Sequence, residues 1–499
     1  MDFGSLIDRA IAPFAPAAAA RRTAARISLA AVRQFEAAKI GDRRTKDWNR
    51  PASSADRENY WGTIGLRNGA RDLVRNNKYA SAAVRQMKAQ IIGDGITCRA
   101  VHDVPAIAQA AQDEWDRFSE SKVYQARQDF FHVQKLIAGG MIEGGEMLQV
   151  WLPSAGVPDS KIRVLEGDYL DSTRTYRLQD GGRIVQGVQF DSNFDRVAYW
   201  LYDEHPGDLV FGQRMVSQPI PAEHIDHVYE EQRAGQTRGA SWFASVALTL
   251  RDIAKIEDAR LLKEKVAACV ALILTPGDGQ TASQLASAEK QDGTKNDLET
   301  LSPGMIFRAK PGENATTLTP APATDTVQFI RQQLAAVSAN LVPYHMMTGD
   351  VSQANYSSLR AALLAFWAIL DDWQQQIVIP LCCKSAFDRR MRILWVRTGD
   401  KRFLDVKAQW AVPKRGFVDP VKDLMGEIME IRAGLATMTQ AMSKRGIDID
   451  KHLAEIERIN KLLDAMQIAV DTDPRKLTSA GILQAAAPYL FKPENAGGN

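Results

Sequence analysis

A chain of 499 residues, 45% hydrophobic and 24% charged, has the composition of ordinary globular protein and the length of about three domains. Its 62 basic and 60 acidic residues leave a net charge of +2, which excludes the strongly basic profile of a tight nucleic-acid binder. The charge is uneven: residues 1–100 hold 18 Lys and Arg against 9 Asp and Glu, a net of +9, so the rest of the chain sums to −7.

The first ten residues, MDFGSLIDRA, carry an acid at position 2 and lack the basic start and long apolar run of a signal peptide. The expectation is a chain kept in a reducing compartment. Cys98, Cys269, Cys382 and Cys383 agree with it, since none forms a CxxC pair. Residues 10–40 are Ala-rich with scattered Arg and 41–57 are polar with five Arg or Lys, which reads as a basic, partly helical arm. A helical pattern then runs through Leu66, Leu73, Tyr79, Ala83, Met87 and Ile91 and stops at Gly93 and Gly95. Two further helices are predicted, at Pro105–Phe118 and Phe130–Ile142.

From Glu146 to Glu231 the period changes to two, in MLQVWL, KIRVL, RIVQGVQF, RVAYWLY and HIDHVYE, separated by turn signals. This predicts a β-rich region with a hairpin over Gln186–Tyr202. A long, charged and weakly amphipathic helix is expected from Ser241, as N-cap, to Ala267. Such a helix is solvent-bridging or packs sideways against copies of itself, with pairs such as Glu257 and Arg260, or Arg260 and Glu264, at the subunit edges. An apolar strand, Cys269–Leu274, a polar insertion, Pro276–Thr300, and a short strand, Met305–Lys310, come next. A helix is expected from Asp325, whose carboxylate suits its N-terminus, to Leu341 before Pro343. A loop, Tyr344–Asn355, leads to the most apolar helix, Tyr356–Ile379. Even there, Asp350, Arg360, Asp371 and Asp372 interrupt the stretch Met346–Pro380, so no run reaches the roughly 20 apolar residues of a membrane-spanning helix. Beyond Gly416 the pattern is almost all helical. No internal repeat is visible.

Motifs that carry chemistry are scarce. There is no Gly-x-x-x-x-Gly-Lys-Ser/Thr loop and no Gly-x-Ser-x-Gly elbow. His224 and His227 lack a third ligand at a recognisable spacing, and on a strand their side chains point to opposite faces. The Gly-rich stretches Gly139–Glu146 and Gly93–Gly95 neither follow a strand nor open a helix. Asp371 and Asp372 diverge around a helix and read as a solvated edge. The expectation is a protein without catalysis, cofactor or metal.

Two segments, RNGARDLVRNNKYASAAVRQMKAQIIGDGI (Arg67–Ile96) and PYHMMTGDVSQANYSSLRAALLAFW (Pro343–Trp367), resemble signatures of the lambda-type tailed-bacteriophage portal proteins. Gly145-Glu146, RVAYWLY, the run from Ile220 to Ala244 that includes GQTRGASWFA, and LSPGMIFRAKPGE lie between them. The most specific cluster is Asn355-Tyr356-Ser357-Ser358 with Arg360, after Thr348-Gly349-Asp350.

The resemblance implies an α+β, portal-type fold: a β-rich and helical wing, a two-helix stem, a small β clip and a helical C-terminal crown. Laid on this chain it implies an N-terminal arm over 1–56, wing 57–240, first stem helix 241–267, clip 268–324, second stem helix 325–343, tunnel loop 344–355, long wing helix and return strands 356–415, and crown and tail 416–499. It implies a homo-oligomeric ring of roughly twelve subunits at one capsid vertex. Double-stranded DNA would pass through it during packaging and ejection. The implied partners are the terminase large subunit, a head-completion adaptor, the major capsid protein and scaffold, with assembly in the host cytoplasm and no membrane. Thr348, Asp350, Ser352, Gln353 and Asn355 would line the channel, and Tyr356 and Arg360 would order the base of the loop. The loop has no Lys or Arg between Tyr344 and Leu359. Each such charge on a phosphate steepens the salt dependence of binding by about 0.9 in log–log slope, so their absence suits a channel through which DNA slides. Two competing readings remain: a metal-dependent hydrolase using Glu223, His224 and His227, and a monomeric adaptor that binds DNA through its basic arm.

Overall fold

A computed structural model describes residues 12–13, 15–32, 52–154, 157–208, 216–274, 305–308, 326–352, 354–413, 415–416, 420–443, 447, 449–468 and 470. The chain divides into two compact units, Met1–Glu58 and Asn59–Asn499. The first holds helix α1, Pro16–Val32, the helical part of the predicted arm.

The second unit is built on helices. The single helical pattern expected up to Ile91 is two helices, α2 (Ala55–Asn76) and α3 (Lys78–Ile91), parted at Asn77. Asn77 adopts an extended conformation, and its side chain accepts hydrogen bonds from the amides of Tyr79 and Ala80. It thereby caps α3, the job for which Asn is well suited. Strand β1 (Thr97–Val101) leads to α4 (Pro105–Ser119), with Pro at its first position, and α5 (Phe130–Gly144), capped by Asp129.

The alternating region forms two antiparallel sheets. One has the order β3-β2-β9, from Val157–Glu166, Glu146–Ser154 and Ile225–Tyr229; the other joins β4 (Tyr176–Arg177), β5 (Arg183–Val185), β6 (Val188–Phe190), β7 (Arg196–Leu201) and β8 (Gln218–Pro221) in sequence order. The predicted hairpin is present as β6–β7. Gln186 and Gly187 both have positive φ, +48° and +86°, and form the tight turn between β5 and β6.

Helix α6 spans Ala247–Cys269, six residues later than expected; Ser241 is buried and its Oγ accepts from the Phe243 amide instead. Strands β10 (Val270–Leu274) and β11 (Met305–Arg308) pair in parallel, and α7 covers Thr326–Ser338. Asp325, Cys269's side chain and the insertion at 276–300 lie outside the described residues. Helix α8 (Tyr344–Thr348) occupies the start of the expected loop. The helix expected to end at Ile379 does not stop there. α9 (Tyr356–Asp372) runs into a π-helical stretch, Trp373–Cys383, which accommodates Pro380, and continues as α10 (Lys384–Thr398). Strand β12 (Lys407–Ala411) returns to pair with β1, and α11 (Pro420–Arg432), α12 (Met438–Ser443) and α13 (Ile449–Ala465) follow.

The main core lies among α3, α4, α5, α9 and α10. Trp115 sits at its centre, in ring contact with Phe118, Phe130, Phe387 and Trp410. A smaller core, including Leu148, Leu165, Val188, Tyr199 and Ile225, fills the space between the two sheets. Cys98, Cys382 and Cys383 are buried free thiols. No helix among the described residues is long and apolar enough to cross a membrane.

Candidate functional site

The segment between α7 and α9 is fastened at both ends. α7 turns Leu334 and Val337 inward and directs Gln328, Arg331, Gln332 and Ala335 into an open cleft of 760 Å³ facing α9. Pro343 starts α8, and Gly349, with φ +74°, ends it. No β-carbon is tolerated easily in that conformation. At the far end Asn355 caps α9: its side chain accepts from the Ser358 amide at 2.8 Å, and Ser358 Oγ accepts from the Asn355 amide at 3.0 Å. This reciprocal pair is a capping box with Ser in the place of the usual Glu.

Between the two ends the carboxylate of Asp350 organises the chain. Arg331 Nη2 donates to Asp350 Oδ2 at 2.8 Å and to Ser352 Oγ at 3.2 Å, while Tyr344 OH donates to Oδ2 at 3.3 Å. The Ser352 amide donates to Oδ1 at 2.9 Å. Hydrogen bonds from Ser352 and the nearby Arg331 guanidinium hold this carboxyl below its ordinary range. Thr348 Oγ1 donates to the Tyr344 carbonyl and accepts from the Asp350 amide.

Thr348, Asp350 and Asn355 therefore use their polar atoms to hold the segment. Ser352 and Val351 are exposed, and Gln353 lies outside the described residues. Tyr356 and Arg360, expected to order the loop, face each other across one turn of α9 at 3.0 Å. The other arm of Arg360 reaches Asp423 of α11 at 2.7 Å, so this residue ties α9 to the C-terminal helices. Arg331 and Tyr344 do the ordering within the described residues. Tyr344 opens the expected loop but is not among its candidate residues, and Arg331 lies outside the loop, on α7.

The two signature segments of the sequence meet here, because α8 packs on α3. α3 also carries α6: Tyr79 OH donates to Glu257 Oε1 at 2.7 Å, Lys78 Nζ lies 2.9 Å from Glu257 Oε2, and Asn77 Nδ2 reaches the Leu250 carbonyl. Glu257, expected to pair with Arg260 at a subunit edge, is thus committed to α3 within its own chain.

Three further signature stretches, Gly145-Glu146, RVAYWLY through Arg196 and the run from Ile220 to Ala244, meet at one buried carboxylate. Glu146, fully buried, receives Arg67 Nη2 at 2.6 Å, Arg238 Nε at 2.9 Å, the Gly239 amide at 3.0 Å and His227 Nε2 at 3.0 Å. Two glycines make room. Gly145 has φ +89°, and a β-carbon on Gly239 would lie 2.1 Å from the Gly145 carbonyl oxygen. Burial alone would raise the Glu146 pKa, but Arg238, His227 and Arg67 outweigh it and hold the group well below the usual carboxylate range. His227 is pushed down to about 4, chiefly by burial, and is neutral. Its Nε2–H donates to Glu146, and Nδ1 accepts from Arg196 at 3.1 Å.

This geometry corrects the metal reading. His227 is buried against Glu146, whereas Glu223 and His224 lie at the surface on the preceding 3-10 turn, so the three do not converge. Glu166, Asp168 and His205 do come together, but the guanidinium of Arg71 sits 2.6 Å and 2.7 Å from the two carboxylates, where a cation would bind. Asp371, read as a solvated edge, is ion-paired with Arg415.

The model of the family described as "Phage portal protein, lambda family" matches residues 41–374. The portal protein of Escherichia phage N15 is 24% identical over 479 residues, covering 82% of this chain and 86% of its own length. Portal protein B of Escherichia phage lambda is 23% identical with the same coverage. The "Probable portal protein" of Halomonas phage phiHAP-1 is 25% identical over 334 residues, and the chain spans 62% of that relative's length. Among solved structures, a chain from the virion of a native gene transfer agent particle superposes with a TM-score of 0.39 at 14% identity, over 78% of this chain and 94% of that one. A chain from the neck of that particle, determined with C12 symmetry, gives 0.38 at 14% identity, over 77% and 93%. With the family model matching two thirds of its length, this chain belongs to the lambda family of phage portal proteins.

Proposed function

We propose that the chain assembles into a ring of roughly twelve copies at one vertex of a phage capsid, conducts double-stranded DNA inward during packaging and outward at ejection, and has no catalysis of its own. ATP hydrolysis then belongs to the terminase large subunit, which docks on the clip, 268–324, as does the head-completion adaptor later. The family match over residues 41–374 carries this reading.

Within it, the wing covers 57–240 and faces the capsid protein and scaffold. α6 and α7 form the stem, residues 344–355, α8 with the segment that joins it to α9, are the tunnel loop, the continuous helix from Tyr356 to Thr398 is the long wing helix, and α11 to α13 belong to the crown. A supporting feature is the stem's surface: Leu261 and Leu262 on α6 and Val327 and Phe329 on α7 are exposed in the single chain. Apolar residues on a projecting helix pair call for cover, and a neighbouring copy supplies it in a closed ring.

Purified protein is expected to run near 660 kDa, twelve chains of 55.2 kDa, and to show a ring with a central hole by negative stain. Deleting Val351–Ala354, which spares the Asn355 cap, should leave the ring intact and impair DNA packaging. A 55 kDa particle with salt-sensitive DNA binding through the arm would replace this reading with the monomeric adaptor.

A further inference from the structure

We infer that Arg331 and Asp350 form a charge-cancelling latch that sets how strongly the channel grips DNA: Arg331 pins the tunnel loop to α7, and Asp350 cancels the charge of a cation that the loop itself lacks. The inference rests on the portal reading and adds to it a positioning pair on two different elements.

Four observations support the pair. Arg331 lies on the face of α7 that borders the cleft behind the loop, with Gln328, Gln332 and Ala335 beside it. Its guanidinium meets Asp350 at 2.8 Å and Ser352 at 3.2 Å, and the nearest ring is that of Tyr344, 5.9 Å from the guanidinium carbon. Both side chains are only partly covered, 28% and 34% exposed, so water and phosphate oxygens can reach them. Between Tyr344 and Leu359 the only formal charge is that of Asp350, so the pair leaves this segment electrically neutral.

An exposed pair of this kind adds little to folding stability. Its effect is on the field around the loop. If Arg331 is left alone, each copy offers an uncompensated guanidinium, the side chain best matched to phosphate. If Asp350 is left alone, each copy offers a carboxylate that repels DNA. Multiplied around a ring, these are opposite perturbations of one column of DNA. A merely structural role for the pair predicts the same defect from both losses.

The experiment uses assembled rings of the full chain carrying D350N, R331Q or both, with duplex DNA as the probe and the salt dependence of retention as the readout. D350N should tighten retention and steepen the log–log salt slope by about 0.9 for each arginine that reaches a phosphate; three or four such contacts weaken binding roughly 40- to 150-fold between 50 and 200 mM salt. R331Q should loosen retention below that of the unmodified ring. The double variant, neutral again, should return toward the unmodified slope. Shifts of the two single variants in the same direction, or a double variant as defective as the worse single one, would overturn the latch. Loss of the ring in either single variant would overturn it too, because the pair would then hold the subunit and not the loop. Failure of the unmodified chain to form a ring would instead sink the portal reading.

Discussion

Two arginine–carboxylate centres in this molecule have similar chemistry and opposite surroundings. At Glu146, two guanidinium groups, a backbone amide and an imidazole converge in a site with no exposure. At Asp350, one guanidinium, a backbone amide and the hydroxyls of Tyr344 and Ser352 meet a carboxylate that is a third exposed. Removing water makes the first centre intolerant of change, since any partner lost leaves an uncompensated buried charge. Keeping water makes the second nearly neutral for folding and, on the proposed function, leaves it available to act on DNA. The first joins α2, the end of α5, β2, β9 and the Arg238 turn, so it fixes the frame; the second decides what the frame presents.

The largest effect that would break this contrast is at Glu146. Glu146→Gln keeps the shape and removes the charge facing Arg67 and Arg238, and should cost about 3–5 kcal/mol, read as a lowered urea midpoint. A loss under about 1 kcal/mol would place the centre in the same class as the exposed pair.

Next in size is the response to acid. His227 titrates near 4 in the folded chain, against about 6.5 when unfolded, so between those values the unfolded chain binds more protons and stability falls as pH falls. Glu146, held well below its ordinary value, adds to the loss once pH drops through the carboxylate range. Together they predict a steep fall in unfolding free energy from pH 6.5 towards 4, on the order of 3 kcal/mol from the histidine alone. His227→Gln should flatten the upper part of that fall.

How much of this was legible in sequence follows from range. The helices and strands were legible because their periods are local, and the hairpin at Gln186–Tyr202 and the stop at Gly93 and Gly95 come out as expected. The break at Asn77 was hidden because the apolar positions of α2 and α3 stay in phase across it, and only the cap of Asn77 separates them. The continuation past Pro380 was hidden because proline ordinarily ends a helix, and here a π-helical stretch absorbs it. At the candidate site, Thr348, Asp350 and Asn355 were singled out as polar residues, but their hydrogen bonds turn them into fasteners. Arg331 was missed because its partner is 19 residues away on another element, beyond any helical or strand period. Glu146 was visible only as part of a resemblance. Its partners Arg67, His227 and Arg238 are 79, 81 and 92 residues away.

A smaller effect is expected where α3 carries α6. Tyr79→Phe removes the donor to Glu257 but leaves Lys78 in place, and should cost about 1 kcal/mol. Burial and the neighbouring Glu257 carboxylate raise the Tyr79 pKa, so the phenol stays protonated as a donor across the working range of pH. On the proposed assignment of α6 to the stem, a contact that sets the stem's angle predicts that rings of this variant form with a lower yield at the same subunit concentration.

The smallest folding effect belongs to the exposed centre, and it completes the comparison. Arg331→Gln removes the cation from a site where water already solvates both partners, while Tyr344 and Ser352 still donate to Asp350. No shift in the melting temperature of the assembled ring beyond measurement error is expected, even though the proposed latch predicts a change in DNA retention. A clear drop in melting temperature would mean that the loop helps support the junction of α7, α8 and α9, and the two arginine–carboxylate centres would then differ in degree and not in kind.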